Sequence, residues 1–398
     1  MRKKRVMKHQ KSFWFLPITL VLLLAAAGIF YLQQRAAAPA KDLPASSTSI
    51  AQDSSLTLDE KVDKIVAGMT PAEKIGQMMM IGIKGTVPTG DSLYMLHEFH
   101  MGGIILFDRN MQNKEQVRLL NEALQKQADE KLPLFIALDE EGGVVSRMKD
   151  QLQPPPSAEQ IGKSGNPEEA KTAALQISQE LKAMGFNLDF APVADTGSDI
   201  GRSYSTDPEV VIRFVNKAAE GYEEAQLLYC LKHFPGLGKG RTDSHQDSVT
   251  VDAAKAALET EDIFPFRKII AAHNADDYFV MVSHISYPAL DKNNPASLSP
   301  AVITDLLRKD CGYPGIIITD DMEMGALSNH YPFDELGVKA IQAGADMLLV
   351  CHEYEHETAV YNGVLKAVQN GTIPEERIDD SVRRIVRTKL LKLQTQTT

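Results

Sequence analysis

Asp243 and His245 stand two positions apart near the end of the glycine-rich segment LKHFPGLGKGRTDSHQD, which covers residues 231–247. In an extended stretch of chain, side chains at this spacing point the same way, so Asp243 could orient the imidazole. Histidine is the side chain best suited to give and take a proton near neutral pH, which fits a general acid/base. Spacing alone leaves open that His245 is an ordinary histidine of a surface loop.

A pair of carboxylates, Asp320 and Asp321, lies in the segment IIITDDMEMGAL at residues 316–327. Asp320 ends an apolar run that is typical of a buried strand, whereas Asp321 begins the turn that follows. A carboxylate in the first position can act as a nucleophile at the anomeric carbon of a sugar. Asp321 fits better as a residue that caps the following element.

Two further segments carry polar side chains that could contact a sugar. Asp139 ends a strand-like run in LDEEGGVVSRM at 138–148, and Arg147 follows eight residues later. Arg202 lies in GRSYSTDP at 201–208, in a predicted loop. A carboxylate at a strand end can accept hydrogen bonds from sugar hydroxyls, and the arginines could reach the same pocket. Either arginine, taken alone, also fits a surface position.

A metal site is a different class of function that these residue types could serve. His233, Asp243 and His245 could bind a metal ion. However, the sequence contains no HExxH pattern, and the ammonium of Lys232 would repel a cation bound to its neighbour. No metal-like spacing is found for the three cysteines, which we expect to be buried thiols: Cys230, Cys311 and Cys351. We therefore predict no metal and no other cofactor.

These side chains must be placed by a regular alternation of apolar, strand-like runs and longer helix-like stretches. The strand-like runs lie at residues 78–83, 102–107, 132–139, 186–192, 227–233, 278–285, 315–320 and 346–351. Near-continuous apolar strands that alternate with helices predict a parallel sheet covered on both faces, and eight of them predict a single closed (β/α)8 TIM-type barrel. An open doubly wound sheet is the competing arrangement, although no GxGxxG follows the first run.

Polar residues recur at the carboxyl ends of these runs. Asp139 ends the third run, and Asp320 ends the seventh. Lys232 and His233 end the fifth. In a barrel these ends converge on one face, where active sites are built. Because ionisable groups are costly to bury unless they are used or paired, the pattern predicts an enzyme whose site joins these side chains.

The N-terminal part of the chain has a different composition. Residues 1–12 form a basic flank, and residues 13–32 (FWFLPITLVLLLAAAGIFYL) contain no charge, which predicts a transmembrane anchor. A cleaved signal segment is the alternative, since the alanines at 36–38 could form a cleavage site. We predict a flexible linker at 33–56 and one catalytic domain at 57–398. Both alternatives place that domain outside the cytoplasm, either at the cell membrane or secreted.

The charge balance beyond this segment is strongly acidic. Residues 1–35 contain seven Lys and Arg and no acid, so the formal net charge is −11 for the whole chain and −18 for the remainder. So acidic a domain argues against nucleic acid as a partner. The sequence gives no sign of an obligate protein partner.

Taken in order, the segments above resemble glycoside hydrolase family 3, specifically its bacterial β-N-acetylglucosaminidase (β-N-acetylhexosaminidase) branch. The resemblance covers about residues 57–390 and includes GGIILFDRN, FNLDFAPVADTGSD and SHISYPALD. It implies that Asp320 is the catalytic nucleophile and that His245 is the acid/base with Asp243 as its partner. It also implies a set of sugar-contacting residues: Asp139, Arg147, Arg202, Lys232 and His233.

The activity implied by this resemblance is exo-acting, retaining hydrolysis of terminal N-acetylglucosamine from peptidoglycan-derived fragments, with glycans or muropeptides as substrates. A phosphorylase, a β-glucosidase-type member of the same family and a non-catalytic wall-glycan-binding protein are the alternatives. The chain departs from the family pattern at Leu237 and Lys239, where histidine and aspartate are common. These departures concern the geometry of the catalytic loop and its leaving-group preference more than the reaction.

Overall fold

The fold is seen in a computed structural model that describes residues 47–128, 132–149, 151–197, 201–237 and 249–393. The predicted basic flank at 1–12, the apolar segment at 13–32 and the first part of the predicted linker lie outside the described residues. Within the remainder of that linker, Ser47–Gln52 form a short helix.

Eight parallel strands form a closed barrel and follow one another in chain order. Their bounds are β1 Met79–Gly82, β2 Gly103–Ile105, β3 Phe135–Leu138, β4 Leu188–Asp189, β5 Leu228–Phe234, β6 Tyr278–Val282, β7 Ile316–Asp321 and β8 Met347–Val350. The barrel closes between β1 and β8, where Met80 pairs with Leu349. Each strand overlaps one of the eight apolar runs, so the predicted barrel itself is confirmed.

Helices surround the strands. In the described part of the chain the α-helices are α1 Ser47–Gln52, α2 Leu58–Ala67, α3 Pro71–Gln77, α4 Gly90–Glu98, α5 Lys114–Gln125, α6 Ala158–Ser164, α7 Glu168–Ala183, α8 Pro208–Ala225, α9 Lys255–Ala257, α10 Ile263–Ala272, α11 Gly325–Ser328, α12 Phe333–Ala343, α13 Tyr354–Gln369 and α14 Glu375–Lys392. Single turns of 3-10 helix at Asp108–Asn110 and Ala296–Leu298 and π-helical segments at Leu258–Asp262 and Ala301–Asp310 complete the set.

The predicted membrane helix is the part of the fold that has to be corrected. No helix within the described ranges is long and apolar enough to cross a membrane. The longest of them, α8 and α14, have 18 residues each. Both are amphipathic helices, and only one face of each packs against the core. Helix α14, for example, buries Ile378, Val382 and Ile385 but exposes Arg383. The described fold is a barrel wrapped in amphipathic helices, without the preceding membrane span that we predicted.

A buried lysine lies at the amino-terminal end of the barrel, opposite the end that collects the predicted site residues. Nζ of Lys389 donates hydrogen bonds to Oε1 of Gln77 (2.7 Å) and to the carbonyl of Gly102 (2.8 Å). It also lies 4.9 Å from the centre of the Phe135 ring. These partners are neutral, and burial lowers the pKa of Lys389 to about 7.

Candidate active site

A cavity of about 410 Å³ opens at the carboxyl ends of the strands. It is lined by the predicted nucleophile and all the predicted sugar-contacting residues: Asp320, Asp139, Arg147, Arg202, Lys232 and His233. The structure therefore brings together six of the eight predicted site residues. The other two, Asp243 and His245, lie outside the described residues, between Leu237 and Val249.

Asp320 stands at the end of β7 and is half-buried in the cavity wall. Its Oδ1 accepts a hydrogen bond from the backbone N–H of Asp321 (2.8 Å). Burial alone would raise the pKa of Asp320, but the hydrogen bond from the Asp321 N–H and the nearby ammonium of Lys232 help to outweigh it, and the pKa is lowered. The side chain is therefore ionised at neutral pH, as a carboxylate nucleophile must be.

The turn after Asp320 is tied to the strands on both sides of β7. Nε2 of His284, just after β6, donates to the carbonyl of Asp321 (2.9 Å), and Nδ1 accepts from the hydroxyl of Ser297 (2.7 Å). Burial lowers the pKa of His284, which agrees with a neutral ring that carries its proton on Nε2. After β8, Nε2 of His352 lies 3.2 Å from Oδ2 of Asp321. Asp321 thus holds the turn and leaves Asp320 facing the cavity.

The ammonium of Lys232, on β5, joins two carboxylates of the segment after β3. Nζ lies 2.7 Å from Oδ1 of Asp139 and 2.7 Å from Oε1 of Glu141. Burial alone would lower the pKa of Lys232, but the two carboxylates outweigh it and raise the pKa. Lys232 is therefore a fixed cation that places the acceptor atoms of Asp139 in the cavity.

The guanidinium of Arg202 is held by both oxygens of Glu141. Its Nε and Nη2 donate to Oε2 and Oε1 of Glu141, at 2.7 and 2.6 Å. Burial would raise the pKa of Glu141, but Lys232 and Arg202 outweigh it and hold the pKa well below its usual range. Nη2 of Arg202 also lies 3.2 Å from Nε2 of His233. The planar guanidinium therefore fixes the outer edge of the imidazole.

Arg147 lies at the rim of the cavity. Its Nη2 is 3.3 Å from Oδ2 of Asp139, and its Nη1 is 3.4 Å from Oδ2 of Asp108. Its backbone N–H donates to Oε2 of Glu140 (2.7 Å), and burial raises the pKa of Glu140 to about 7. The guanidinium packs over the ring of Phe107, 5.2 Å from its centre. Arg147 thus combines an apolar contact with donors that face the cavity.

These contacts connect into one network of mostly alternating charge. Its members, in order of contact, are Arg147, Asp139, Lys232, Glu141, Arg202, His233 and Asp195. The network presents fixed donors and acceptors from the ends of β3, β4 and β5. Such an arrangement suits a ligand that carries several hydroxyl groups, because each hydroxyl can both donate and accept a hydrogen bond.

Three residues of this site were not assigned a role from the sequence. Glu141 is the third acid of an acidic triplet, of which only Asp139 was singled out. Asp195 lies after β4 inside FNLDFAPVADTGSD, where nothing marks it as a partner of His233. His284 follows β6 and holds the turn beside the nucleophile candidate. The position of each after a strand was a usable signal, since polar residues at strand ends mark the active face.

The contacts of the possible metal ligands show whether their ligand atoms face an open coordination position. Nδ1 of His233 is bonded to Asp195, and the Arg202 guanidinium faces Nε2, so neither nitrogen is presented to a cation in the described structure. A different group, Asp321, Glu323 and His352, has ligand atoms within 4.8 Å of one another. There, the carboxylate of Glu323 already accepts backbone N–H groups from the segment after β8. The cysteines are buried thiols, as expected: Cys230, Cys311 and Cys351.

Residues 70–388 match the family model described as "Glycosyl hydrolase family 3 N terminal domain". The chain belongs to glycoside hydrolase family 3. The predicted resemblance is confirmed for the family and for its β-N-acetylhexosaminidase branch, and with it the prediction that the chain is a glycoside hydrolase.

Relatives from three bacteria support this placement. "Beta-hexosaminidase LpqI" of Mycobacterium tuberculosis is 29% identical, over 94% of this chain and 97% of its own length. "Beta-hexosaminidase A" of Pseudoalteromonas piscicida is 30% identical over 81% of this chain. A solved family 3 β-N-acetylglucosaminidase from Paenibacillus sp. str. FPU-7 superimposes with a TM-score of 0.78 and 39% identity over 81% of this chain. The chain matches 61% and 62% of the lengths of the last two proteins.

Proposed function

We propose that this family 3 chain is an exo-acting, retaining β-N-acetylglucosaminidase that removes terminal N-acetylglucosamine from peptidoglycan-derived glycans or muropeptides. The observation that carries the proposal is the ionised carboxylate of Asp320 in one cavity with the charged network around Lys232 and Arg202. A volume of about 410 Å³ lies within the range of about 300–1,000 Å³ for small-molecule sites. The name of the Paenibacillus relative, a β-N-acetylglucosaminidase, supports the N-acetylated sugar as the substrate class.

The proposed mechanism is a double displacement. Asp320 attacks the anomeric carbon and forms a glycosyl ester, while His245 donates its proton to the departing oxygen of the aglycone. A water molecule then attacks the same carbon, and His245 takes the water proton as Asp320 leaves. Two inversions at one carbon give net retention. Asp243, two residues before His245, is proposed to orient the imidazole.

We propose that the network holds the sugar ring while these steps occur. The carboxylate of Asp139 accepts from sugar hydroxyls, and its geometry is fixed by Lys232 and Arg147. Arg202 and His233 line the same cavity and add polar groups to it. Fixed partners of this kind lower the entropic cost of reaching the transition state, because their own orientation is settled before the substrate binds.

The test compares an aryl N-acetyl-β-glucosaminide with the matching aryl β-glucoside, each with and without phosphate. We expect cleavage of the glucosaminide and release of free N-acetylglucosamine with the β configuration under both conditions. Faster cleavage of the glucoside would identify a β-glucosidase-type enzyme. Formation of the sugar phosphate would identify a phosphorylase, and binding without cleavage would identify a non-catalytic glycan-binding protein.

We further propose that the barrel works outside the cytoplasm. The support is the sequence of the first 32 residues, in which a basic flank precedes twenty uncharged residues. The substrate class is consistent with this location, since cell-wall glycans lie beyond the cytoplasmic membrane. Intact cells that express the full chain should therefore cleave an aryl glucosaminide that cannot enter the cytoplasm. Activity seen only after lysis would contradict this location.

A further inference from the structure

Asp195, which follows β4, is buried beside the catalytic cavity and gathers three hydrogen bonds on one carboxylate. Its Oδ1 accepts from the backbone N–H of His233 (3.0 Å) and from that of Leu237 (2.8 Å). Its Oδ2 lies 2.8 Å from Nδ1 of His233. The side chains of both bonded residues, His233 and Leu237, line the cavity.

These contacts decide which nitrogen of His233 carries the proton when the ring is uncharged. A carboxylate accepts hydrogen bonds, so the ring proton must lie on Nδ1, where Asp195 receives it. The other nitrogen, Nε2, is 3.2 Å from Nη2 of Arg202, and a guanidinium can only donate. The two neighbours therefore agree on one tautomer, in which Nδ1 donates and Nε2 accepts.

The alternative tautomer would place two unfavourable contacts in the same buried site. With the proton on Nε2, the N–H would face the N–H of Arg202, and the lone pair on Nδ1 would face the carboxylate of Asp195. Each contact would leave a buried polar group without a partner, which costs about 1–3 kcal/mol per group. Asp195 and Arg202 thus act on opposite edges of the same ring.

We propose that Asp195 is a positioning residue for the sugar site: it sets the tautomer of His233 and fixes the chain from His233 to Leu237 against the cavity. Its carboxylate does not line the cavity and acts through His233. The inference rests on the proposed function and deepens it, since it specifies how the ring of His233, which lines the sugar cavity, is held in place.

The main test is the substitution Asp195→Asn, which separates the contacts with the backbone from the contact with the imidazole of His233. The amide oxygen can still accept from the backbone N–H groups of His233 and Leu237, but the NH2 group then faces Nδ1. We expect the proton of His233 to move to Nε2, opposite Arg202. The KM for an aryl N-acetyl-β-glucosaminide should rise by about 10- to 100-fold, which is the usual range for a lost hydrogen bond to a charged group.

The tautomer is read from the ring 15N chemical shifts of histidine-labelled protein, with the His233 signals assigned by their loss in His233→Gln. The matched control is Asp207→Asn, which alters an exposed aspartate that caps α8 by accepting from the N–H of Glu209 (2.9 Å). This control should keep the tautomer and the KM of the wild type. A double-mutant cycle adds a second readout, because Asp195→Asn should lose most of its effect on KM when His233 is already Gln.

Two results would overturn the inference. One is a wild-type His233 that carries its proton on Nε2, a measurement that needs no variant to fold. The other is an effect of Asp195→Asn on KM that is undiminished in the His233→Gln background. The first result does not depend on the proposed reaction, because wild-type protein that cleaves no glucosaminide still reports its tautomer. In that case the proposed function would fail, and calorimetric binding of N-acetylglucosamine would replace KM.

Discussion

Oε1 of Glu141 lies 2.7 Å from Nζ of Lys232, and both side chains are at most 3% exposed. The same oxygen also accepts from Arg202, so a single carboxylate contacts two cations, the buried Lys232 and the partly buried Arg202. Pairs of this kind give little net stability compared with apolar packing, but the loss of one partner is costly because the other charge stays buried.

The variant Glu141→Gln should therefore be strongly destabilised. We expect the free energy of unfolding to fall by about 3–5 kcal/mol, as is usual when one partner of a buried ion pair is removed. Urea denaturation measures this loss, and Glu115→Gln, which alters an exposed acid paired with Arg118, is the control. Equal stability of the two variants would show that Glu141 is not the main counter-charge of Lys232 and Arg202.

The stability from Glu141 should also depend on pH in a defined direction. Since Lys232 and Arg202 hold its pKa below the usual range, the stabilisation is fully present above the unfolded pKa of about 4.3. It is lost as the pH falls from there through the lower, folded pKa. The wild type and Glu141→Gln should therefore differ most in unfolding free energy at neutral pH and converge in acid.

Asp320→Asn should abolish turnover and keep sugar binding, because it removes the nucleophile with almost no change in volume. We expect kcat to fall by about 10⁴- to 10⁶-fold, the range seen when an enzyme's covalent nucleophile is removed. A slow fluorosugar substrate should label Asp320, and mass spectrometry of the peptides locates the label. Labelling of Asp321 instead would contradict the assignment, since the carboxylate of Asp321 contacts His352 and the turn.

His245→Ala should slow substrates with poor leaving groups far more than activated aryl substrates. A general acid contributes typically 10²- to 10⁴-fold, and it matters little when the leaving group departs without a proton. The second step should also slow, because the base for water is missing, so an activated substrate should give a burst and then a slow steady state. Equal slowing of all substrates without a burst would show that His245 is not the acid/base.

Dialysis against a chelator should leave the rate unchanged. The reason is that the nitrogens of His233 are bonded to Asp195 and face Arg202 rather than an open coordination position. The measurement is kcat/KM for an aryl glucosaminide before and after dialysis. A loss of activity that zinc alone restores would instead support a metal site at His233, Asp243 and His245.

Lys389 should make stability rise with pH in the neutral to alkaline range. Its pKa is about 7 in the folded protein, whereas an unfolded lysine has a pKa of about 10.4. Between these values the unfolded chain binds a proton that the folded protein lacks, so stability rises by up to about 1.4 kcal/mol per pH unit. In Lys389→Met this rise should disappear between pH 7 and 9, as measured by urea denaturation.

The control for this prediction is Lys366→Met, which alters an exposed lysine on α13. Its stability should follow the pH dependence of the wild type. If the stability of Lys389→Met shows the same pH dependence as that of the wild type, Lys389 is charged in the folded protein. The hydrogen bonds to Gln77 and Gly102 would then stabilise the charged ammonium.

The barrel and the cavity could be predicted because both rest on local patterns. Apolar runs mark strands, and in a parallel barrel all strand ends face the same way, so Asp139, Lys232 and Asp320 had to meet. The partner of His233 could not be predicted in this way. Asp195 is 38 residues away along the chain, and only the parallel neighbourhood of β4 and β5 brings the two together.

The roles of Glu141 and the N-terminal segment show two other limits. Glu140 and Glu141 are adjacent acids with no difference in sequence signal, yet Glu141 meets two cations and burial raises the pKa of Glu140. Which acid faces which neighbour depends on the backbone after β3. The apolar run at 13–32 predicts a membrane helix from its composition alone, and the described structure contains no helix of that kind.

The alternation of charge in the cavity network restricts how this barrel can evolve toward other sugars. A change at Asp139 alone would leave Lys232 and Arg147 with one acid fewer, and a change at Lys232 alone would leave two acids facing each other. Most single substitutions in the network therefore give a poorly folding variant, even where they would favour a different sugar. Natural variation here is expected to be correlated, with exchanges of whole donor–acceptor pairs. Directed evolution libraries should therefore randomise contacting positions together rather than one at a time.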